Sequence, residues 1–405
     1  MSVPTLTEAQ TETLHRTYRH LHQHPELSMQ EHRTAEFIEN RLAELGVESF
    51  RCGGTGVVGV IRNGDGPVVA FRADTDGLPL QEDTALGYAS TATGNLPDGT
   101  EVPVMHGCGH DTHIACLLSA TEVLLSARDT WAGTLVLIFQ PGEETAAGAR
   151  AMVDDGLWDK APVPEVVFGQ HVMPVESGTL TYSVGDALAM SDSWKVTVRG
   201  KGGHGSQPQD CVDPIVLGAF MVTRIQSVVA REVDPRESAV VTVGSFHGGL
   251  KENIIPAATE FTLNVRSLDP ATRDVVLGAL RRIIMAEAQA SGAPEPVIEE
   301  LSHFPRTFND PAATAEVVRG FEAEFGADRV VESAPLMGSE DFGALAEAIG
   351  VPSVFWMFGA HDRGVMDSQE PTPVNHSPFF VPVEEPTLST GVRAATTAIL
   401  SRLGN

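Results

Sequence analysis

Apolar positions recur along this chain at two different periods, and the switch between them divides it. A helical period over residues 8–22 predicts a first helix. A second is predicted over 30–45, where Ala35, Ile38, Leu42 and Leu45 share one face and Gly46 ends the run. Short apolar runs at 56–61 and 68–72 predict strands. The run Thr134-Leu-Val-Leu-Ile-Phe139 is apolar almost throughout, as in a strand covered on both faces. Helices over 113–127 and 146–155 and a strand over 165–168 complete an alternation that calls for an α/β layer.

The pattern changes near Leu188. Trp194-Lys-Val-Thr-Val-Arg199 alternates apolar with polar, the period of a half-exposed strand. Helices over 213–230 and 270–291, with strands over 239–245, 260–267 and 297–301, follow in β-α-β-β-α-β order, the split βαβ or ferredoxin-like unit. Beyond about residue 305 the α/β alternation resumes, with helices over 312–325 and 342–348 and a strand over 351–357. The expected fold is two-domain α/β. Residues 1–187 and 304–405 form one domain, interrupted by a small α+β domain over 188–303. No internal repeat or low-complexity tract is visible.

Charge narrows the range of partners. Asp and Glu number 54 against 27 Lys and Arg, a formal charge of −27. Nucleic acid and anionic membrane both require positive surface, so neither is expected. Residues 1–10 are polar, so no signal peptide is read there, and no run of eighteen apolar residues predicts a membrane span. The four cysteines, Cys52, Cys108, Cys116 and Cys211, form no disulfide-like framework. A reducing compartment, the cytoplasm, is the expectation.

Candidate chemistry clusters after strands. His106-Gly-Cys-Gly-His-Asp-Thr-His113 packs three histidines, a cysteine and an aspartate into eight residues. Thiolate and imidazole are ligands for zinc-class metals, and the glycines let the backbone turn so that side chains converge. Gln140-Pro-Gly-Glu-Glu144 follows the most apolar strand, where sites lie in open α/β sheets. One of its carboxylates can ligate a metal while the other acts as general base; an acidic helix start would account for the pair as well. Gly169-Gln-His171 follows another buried strand, and Asn375-His-Ser377 lies in a late Pro-rich loop. A lone histidine at either place is usually structural. Arg72-Ala-Asp-Thr-Asp-Gly-Leu-Pro79 carries two aspartates that can orient a metal-bound histidine. The chain lacks Gly-x-Ser-x-Gly, which disfavours an α/β-hydrolase.

In their order these motifs resemble the M20 metallopeptidase family, within it the amidohydrolase branch of aminoacylases, hippurate hydrolases and auxin-conjugate hydrolases. The resemblance runs from His22-Gln-His-Pro-Glu-Leu-Ser28 to Asn375-His-Ser377. It includes Gly200-Lys-Gly-Gly-His-Gly-Ser206, Asn253-Ile-Ile-Pro256 and Asn264-Val-Arg266 in the inserted domain. It implies that Cys108, His110, Glu144, His171 and His376 ligate two divalent metal ions per subunit, zinc in the first place and manganese or cobalt as alternatives. It implies Glu143 as general base, and Asp76 as the orienting aspartate with Asp74 the alternative. His204 would reach the partner subunit's site in a homodimer formed through the inserted lid domain. Asn253 and Arg266 would hold the substrate's carboxylate region. His106 and His113 receive no role beyond support, and Met337-Gly-Ser-Glu-Asp341 resembles a segment lining the site with no task assigned. The implied activity is hydrolysis of the amide bond of an N-acyl amino acid, a small-molecule substrate. A dipeptidase or carboxypeptidase of the same family is the alternative. Cys108 as a nucleophile would leave the glutamates and distant histidines without purpose. A binding protein without catalysis would be expected to lack the base or some of the ligands.

Overall fold

The computed structural model describes residues 3–404, so the N-terminal reading falls outside it at positions 1 and 2. The fold is mixed α/β in two compact units. The first comprises Met1–Ala187, Thr307–Ala334 and Asp341–Asn405, and the second Leu188–Arg306 with Pro335–Glu340.

The first unit is built on an eight-stranded sheet. Its order is Glu48–Cys52, Gly56–Asn63, Gly133–Gln140, Val68–Asp74, Val166–Glu176, Ser353–His361, Leu180–Tyr182 and Val330–Glu332. The four central strands run parallel, and their residues are almost all buried, which explains the continuous apolar runs. The helix His110–Ser126 is buried on nearly every side, with Thr387–Leu403 packed against it. Gly109, at φ 85°, caps that helix; a Cβ there would lie 2.4 Å from the Val172 side chain.

Several elements differ from their sequence expectation. The helix expected from 113 begins at His110, so His110, Asp111 and His113 all lie on its first turn. The strand expected to end at 168 continues to Glu176, because the Ser353–His361 strand pairs with it throughout. His171 therefore sits within a strand and not after one. The helix expected over 213–230 is two helices, Pro214–Ile225 and Ser227–Glu232.

The second unit is a four-stranded antiparallel sheet in the order Ala239–Gly248, Ala258–Ser267, Met190–Arg199, Val297–Phe304. This is the ferredoxin-like arrangement. Trp194, Val196, Val198, Phe261, Leu263 and Val265 form its buried face, packed with Leu217, Met221, Ile225 and Leu280 from the helices. The alternate residues form a polar face. The Pro335–Glu340 segment, assigned to the other domain by the sequence pattern, belongs here: the Ala189 amide donates to the carbonyls of Leu336 (3.1 Å) and Gly338 (2.8 Å). By length and composition Pro214–Glu232 is the one described run apolar enough to cross a membrane; a third of its most apolar stretch is buried.

Candidate metal centre

The carboxyl ends of the parallel strands in the first unit bring the motif residues together. Asp74 pairs in register with Gln140, and Arg72 with Gly169, two residues before His171. Asp76, just beyond the strand end, is fully used. Its Oδ1 accepts from His110 Nδ1 (3.2 Å) and the Glu143 amide (3.2 Å); its Oδ2 accepts from Ser28 Oγ (2.6 Å) and the Glu144 amide (3.1 Å). One carboxylate thus fixes both the His110 ring and the turn carrying Glu143 and Glu144. With Nδ1 donating to Asp76, His110 turns its Nε2 inward.

That Nε2 is buried and has no hydrogen-bond partner, and the same is true of Glu144 Oε1. The two atoms are 4.0 Å apart, and Glu143 Oε2 is also 4.0 Å from His110 Nε2. His376 Nε2 stands 3.4 Å from Glu144 Oε1. His171 donates Nδ1–H to the Val172 carbonyl (2.7 Å), leaving its Nε2 lone pair 3.4 Å from Cys108 Sγ. Cys108, Glu144 and His376 each offer a ligand atom within 4.8 Å of the others, as do His110, Glu143 and Glu144. Four of the five donors expected from the sequence therefore fall in two sets that share Glu144, one of which also includes Glu143, and His171 borders them through Cys108 Sγ (3.4 Å). Orphaned buried polar atoms cost about 1–3 kcal/mol each. A cation removes that cost, so the donor set fits a metal.

Asp74 and His113 lie within the same 4.8 Å range as His110 and His171, yet hydrogen bonding occupies them. Asp74 bonds His113 Nδ1 and accepts from Arg72 Nη1 (2.6 Å), while His113 Nε2 accepts from the Val172 amide (2.8 Å). The His113 ring thus links Asp74 to the strand that carries His171. Arg72 is fixed in turn by Gln140 Oε1 (2.8 Å) and Asp341 Oδ1 (3.2 Å). Asn375, next to His376, holds its loop in place. Its Nδ2 donates to the carbonyls of Cys108 (3.1 Å) and Val172 (3.2 Å), pinning the loop in which His376 adopts a left-handed φ of 68°.

Electrostatics agree with ligation. Burial opposes a charge on His110, but Asp74, Asp76 and Glu144 outweigh it and lift its pKa to about 10; a cation would take the place of that proton. Burial holds His171 neutral. Burial, then the charges of Glu144 and Glu143, push the Cys108 thiol well above its usual range. Such a thiol is a poor nucleophile by itself, although a cation would deprotonate it.

The remaining expected residues lie in the second unit. Gly203–His204 pairs with Ile254–Ile255, and the Gly205 amide donates to the Asn253 carbonyl (2.8 Å), so His204 and Asn253 are neighbours. His204 is exposed. Its Nδ1 accepts from the Ser206 amide (3.1 Å), which places the proton of the neutral ring on Nε2. Arg266 lies on the polar sheet face, apart from that pair.

Residues 70–400 match the model of peptidase family M20/M25/M40. The hippurate hydrolase of Campylobacter jejuni is 39% identical over 333 residues, covering 81% of this chain and 83% of its own. Thermostable carboxypeptidase 1 of Saccharolobus solfataricus is 35% identical over 351 residues, 85% of each chain. A dinuclear metal binding peptidase of the M20 family from Bacillus subtilis superposes with a TM-score of 0.78 at 29% identity, over 97% of this chain and 99% of that one.

Proposed function

Because the chain belongs to peptidase family M20/M25/M40, we propose that it is a metal-dependent amidohydrolase cleaving the amide bond of N-acyl amino acids. The convergence of Cys108, His110, Glu144, His171 and His376 around buried, unpartnered donor atoms beside Glu143 carries this reading. These five residues would hold two divalent cations, zinc first and manganese or cobalt as alternatives. Bound there, such cations lower the pKa of water and polarise a carbonyl. Glu143 takes the water's proton and returns it to the leaving amine. Asp76 keeps His110 and the Glu143–Glu144 turn in place. His204, with Nε2–H outward, donates to the developing oxyanion. Asn253 and Arg266 hold the carboxylate end of the substrate.

The chain acts as a homodimer through its second unit, where Val216, Phe220, Val240 and Ile254 are exposed and the strand Ala239–Gly248 is an edge. Its four free thiols suit a reducing cytoplasm. The carboxypeptidase relative supports a second reading, cleavage of carboxy-terminal peptide bonds with the same machinery. One experiment tests both. Protein is chelated, analysed for metal, reloaded with zinc, manganese or cobalt, and offered acetyl, benzoyl and long-chain acyl amino acids beside dipeptides and longer peptides. Metal-restored turnover of acyl amino acids above peptides is expected. Full turnover by metal-free protein would overturn the mechanism, and a preference for peptides would select the second reading.

A further inference from the structure

On the polar face of the second unit's sheet, Asn264 and Arg266 stand two residues apart on the strand Ala258–Ser267. They lie opposite Ser193 and Ser191 on Met190–Arg199. Polar pairs across a sheet are common and weak, and Ser245 Oγ with Thr262 Oγ1 (2.7 Å) is an ordinary example close by. The Asn264 arrangement differs because every part of its amide is used. Nδ2 donates to Ser191 Oγ (2.8 Å) and Ser193 Oγ (3.0 Å), and Oδ1 accepts from Arg266 Nε (3.0 Å). The assignment of oxygen and nitrogen is forced, since Arg Nε can only donate. On its other side Arg266 Nη1 donates to the Met337 carbonyl (2.7 Å) and Ser339 Oγ (3.3 Å). Nη2 has no partner among the described residues.

We propose that Asn264 is a positioning residue: through Ser191 and Ser193 it holds the Arg266 guanidinium in one orientation, with Nη2 presented to a carboxylate. The inference rests on the reading of Arg266 as the residue that binds the substrate's carboxylate, and it names what makes that contact selective. A free arginine side chain samples many rotamers, and ordering it opposes binding. Here Nε and Nη1 are tied before substrate arrives. The guanidinium is fixed with Nη2 left to donate, and its charge is left uncompensated because every partner is neutral. The same geometry gives Met337-Gly-Ser339 a task, as the second clamp on the guanidinium.

The test compares an N-acyl amino acid with its carboxamide analogue on the metal-loaded enzyme. Wild type should favour the carboxylate form by roughly 10- to 100-fold in kcat/KM, as a charge-assisted hydrogen bond allows. Arg266→Ala should abolish the preference. Asn264→Ala should cut it by about tenfold through KM of the carboxylate substrate, with kcat and carboxamide turnover nearly unchanged, and the double variant should lose no more than Arg266→Ala alone. A merely structural Asn264 would lower both substrates together, and that result overturns the inference. Should Asn264→Ala fold poorly, the isosteric Asn264→Asp keeps the acceptor for Nε but sets a negative charge against the guanidinium. The carboxylate preference should then fall again, and an unchanged preference overturns the proposal. If Arg266→Ala removes the preference but neither Asn264 variant touches it, only the positioning role fails. If wild type shows no preference, the reading of Arg266 fails with it.

Discussion

Glu143 and Glu144 are chemically identical neighbours, and only their surroundings separate them. Both amides are held by Asp76. Glu144 Oε1 is an orphaned oxygen close to both His376 and His110, whereas Glu143 Oε2 approaches His110 Nε2 (4.0 Å). Glu143→Gln should therefore retain bound metal and lose turnover by about a thousandfold, the size of a general-base contribution. Glu144→Gln should lose metal as well. Metal analysis alongside steady-state rates checks both; an active Glu143→Gln with full metal would reverse the assignment. The cluster from His106 to His113 stands out in the sequence because cysteine and histidine are scarce and here they clump, whereas the choice of His171, His376 and Glu144 as donors comes only through the family resemblance. The supports do not stand out. Asn375 reaches Cys108 across 267 positions and Arg72 reaches Asp341 across 269. Asparagine, arginine and aspartate are common enough that no local pattern marks such partners.

At the scale of elements, one buried ion cluster ties the first helix to the helix that begins at His110. His22, on Glu8–Gln23, is held between Asp111 Oδ2 (2.7 Å) and Glu82 Oε1 (3.1 Å), with the rings of Tyr18 and Tyr88 against it. Burial works against its charge, but Asp111 and Glu82 prevail and raise its pKa to about 9. An unfolded histidine titrates near 6.5. The folded state thus holds this proton more tightly, and the stabilisation is complete below about pH 6.5 and lost as pH rises through about 9. Urea unfolding of the metal-loaded protein between pH 6 and 9.5 should show wild type losing its advantage over His22→Gln across that window. Parallel curves for the two proteins would refute the link. Which elements were legible followed their chemistry. Long apolar strands and amphipathic helices were readable, but the helix Thr387–Leu403 was not. Its buried face includes Thr387, Thr390, Thr396 and Thr397. Those residues are polar by composition, yet Thr396 and Thr397 donate to carbonyls four residues back (2.8 and 2.7 Å), which satisfies their hydroxyls within the helix and lets them be buried. The three-residue strands at Leu180 and Val330 are too short to show a period.

At the scale of the whole molecule, the candidate residues divide between the two units. Every candidate metal donor and Glu143 belong to the first unit, while His204, Asn253 and Arg266 belong to the second. The second unit carries an edge strand and exposed apolar side chains, among them Phe220 at 59% and Ile254 at 56% exposure, which a twofold mate would cover. Because its strand alternation contrasts with the buried runs around it, the sequence pattern sets the inserted unit apart. It misassigned Pro335–Glu340, whose six residues carry no period of their own. If His204 serves the partner subunit's metal centre, the defects in His204→Ala and Glu143→Gln complement one another. Each homodimer should be nearly inactive. After subunit exchange, half of the dimers are mixed, and each mixed dimer joins an intact Glu143 from one chain with an intact His204 from the other at one of its two sites. Activity should return to about one quarter of wild type. The recovery should disappear when both substitutions are placed on the same chain and mixed with a chain lacking Cys108, since that chain supplies His204 but no metal site and the doubly substituted chain no base. Exchange demonstrated by mass-tagged subunits with no recovered activity would confine His204 to its own chain or remove it from catalysis.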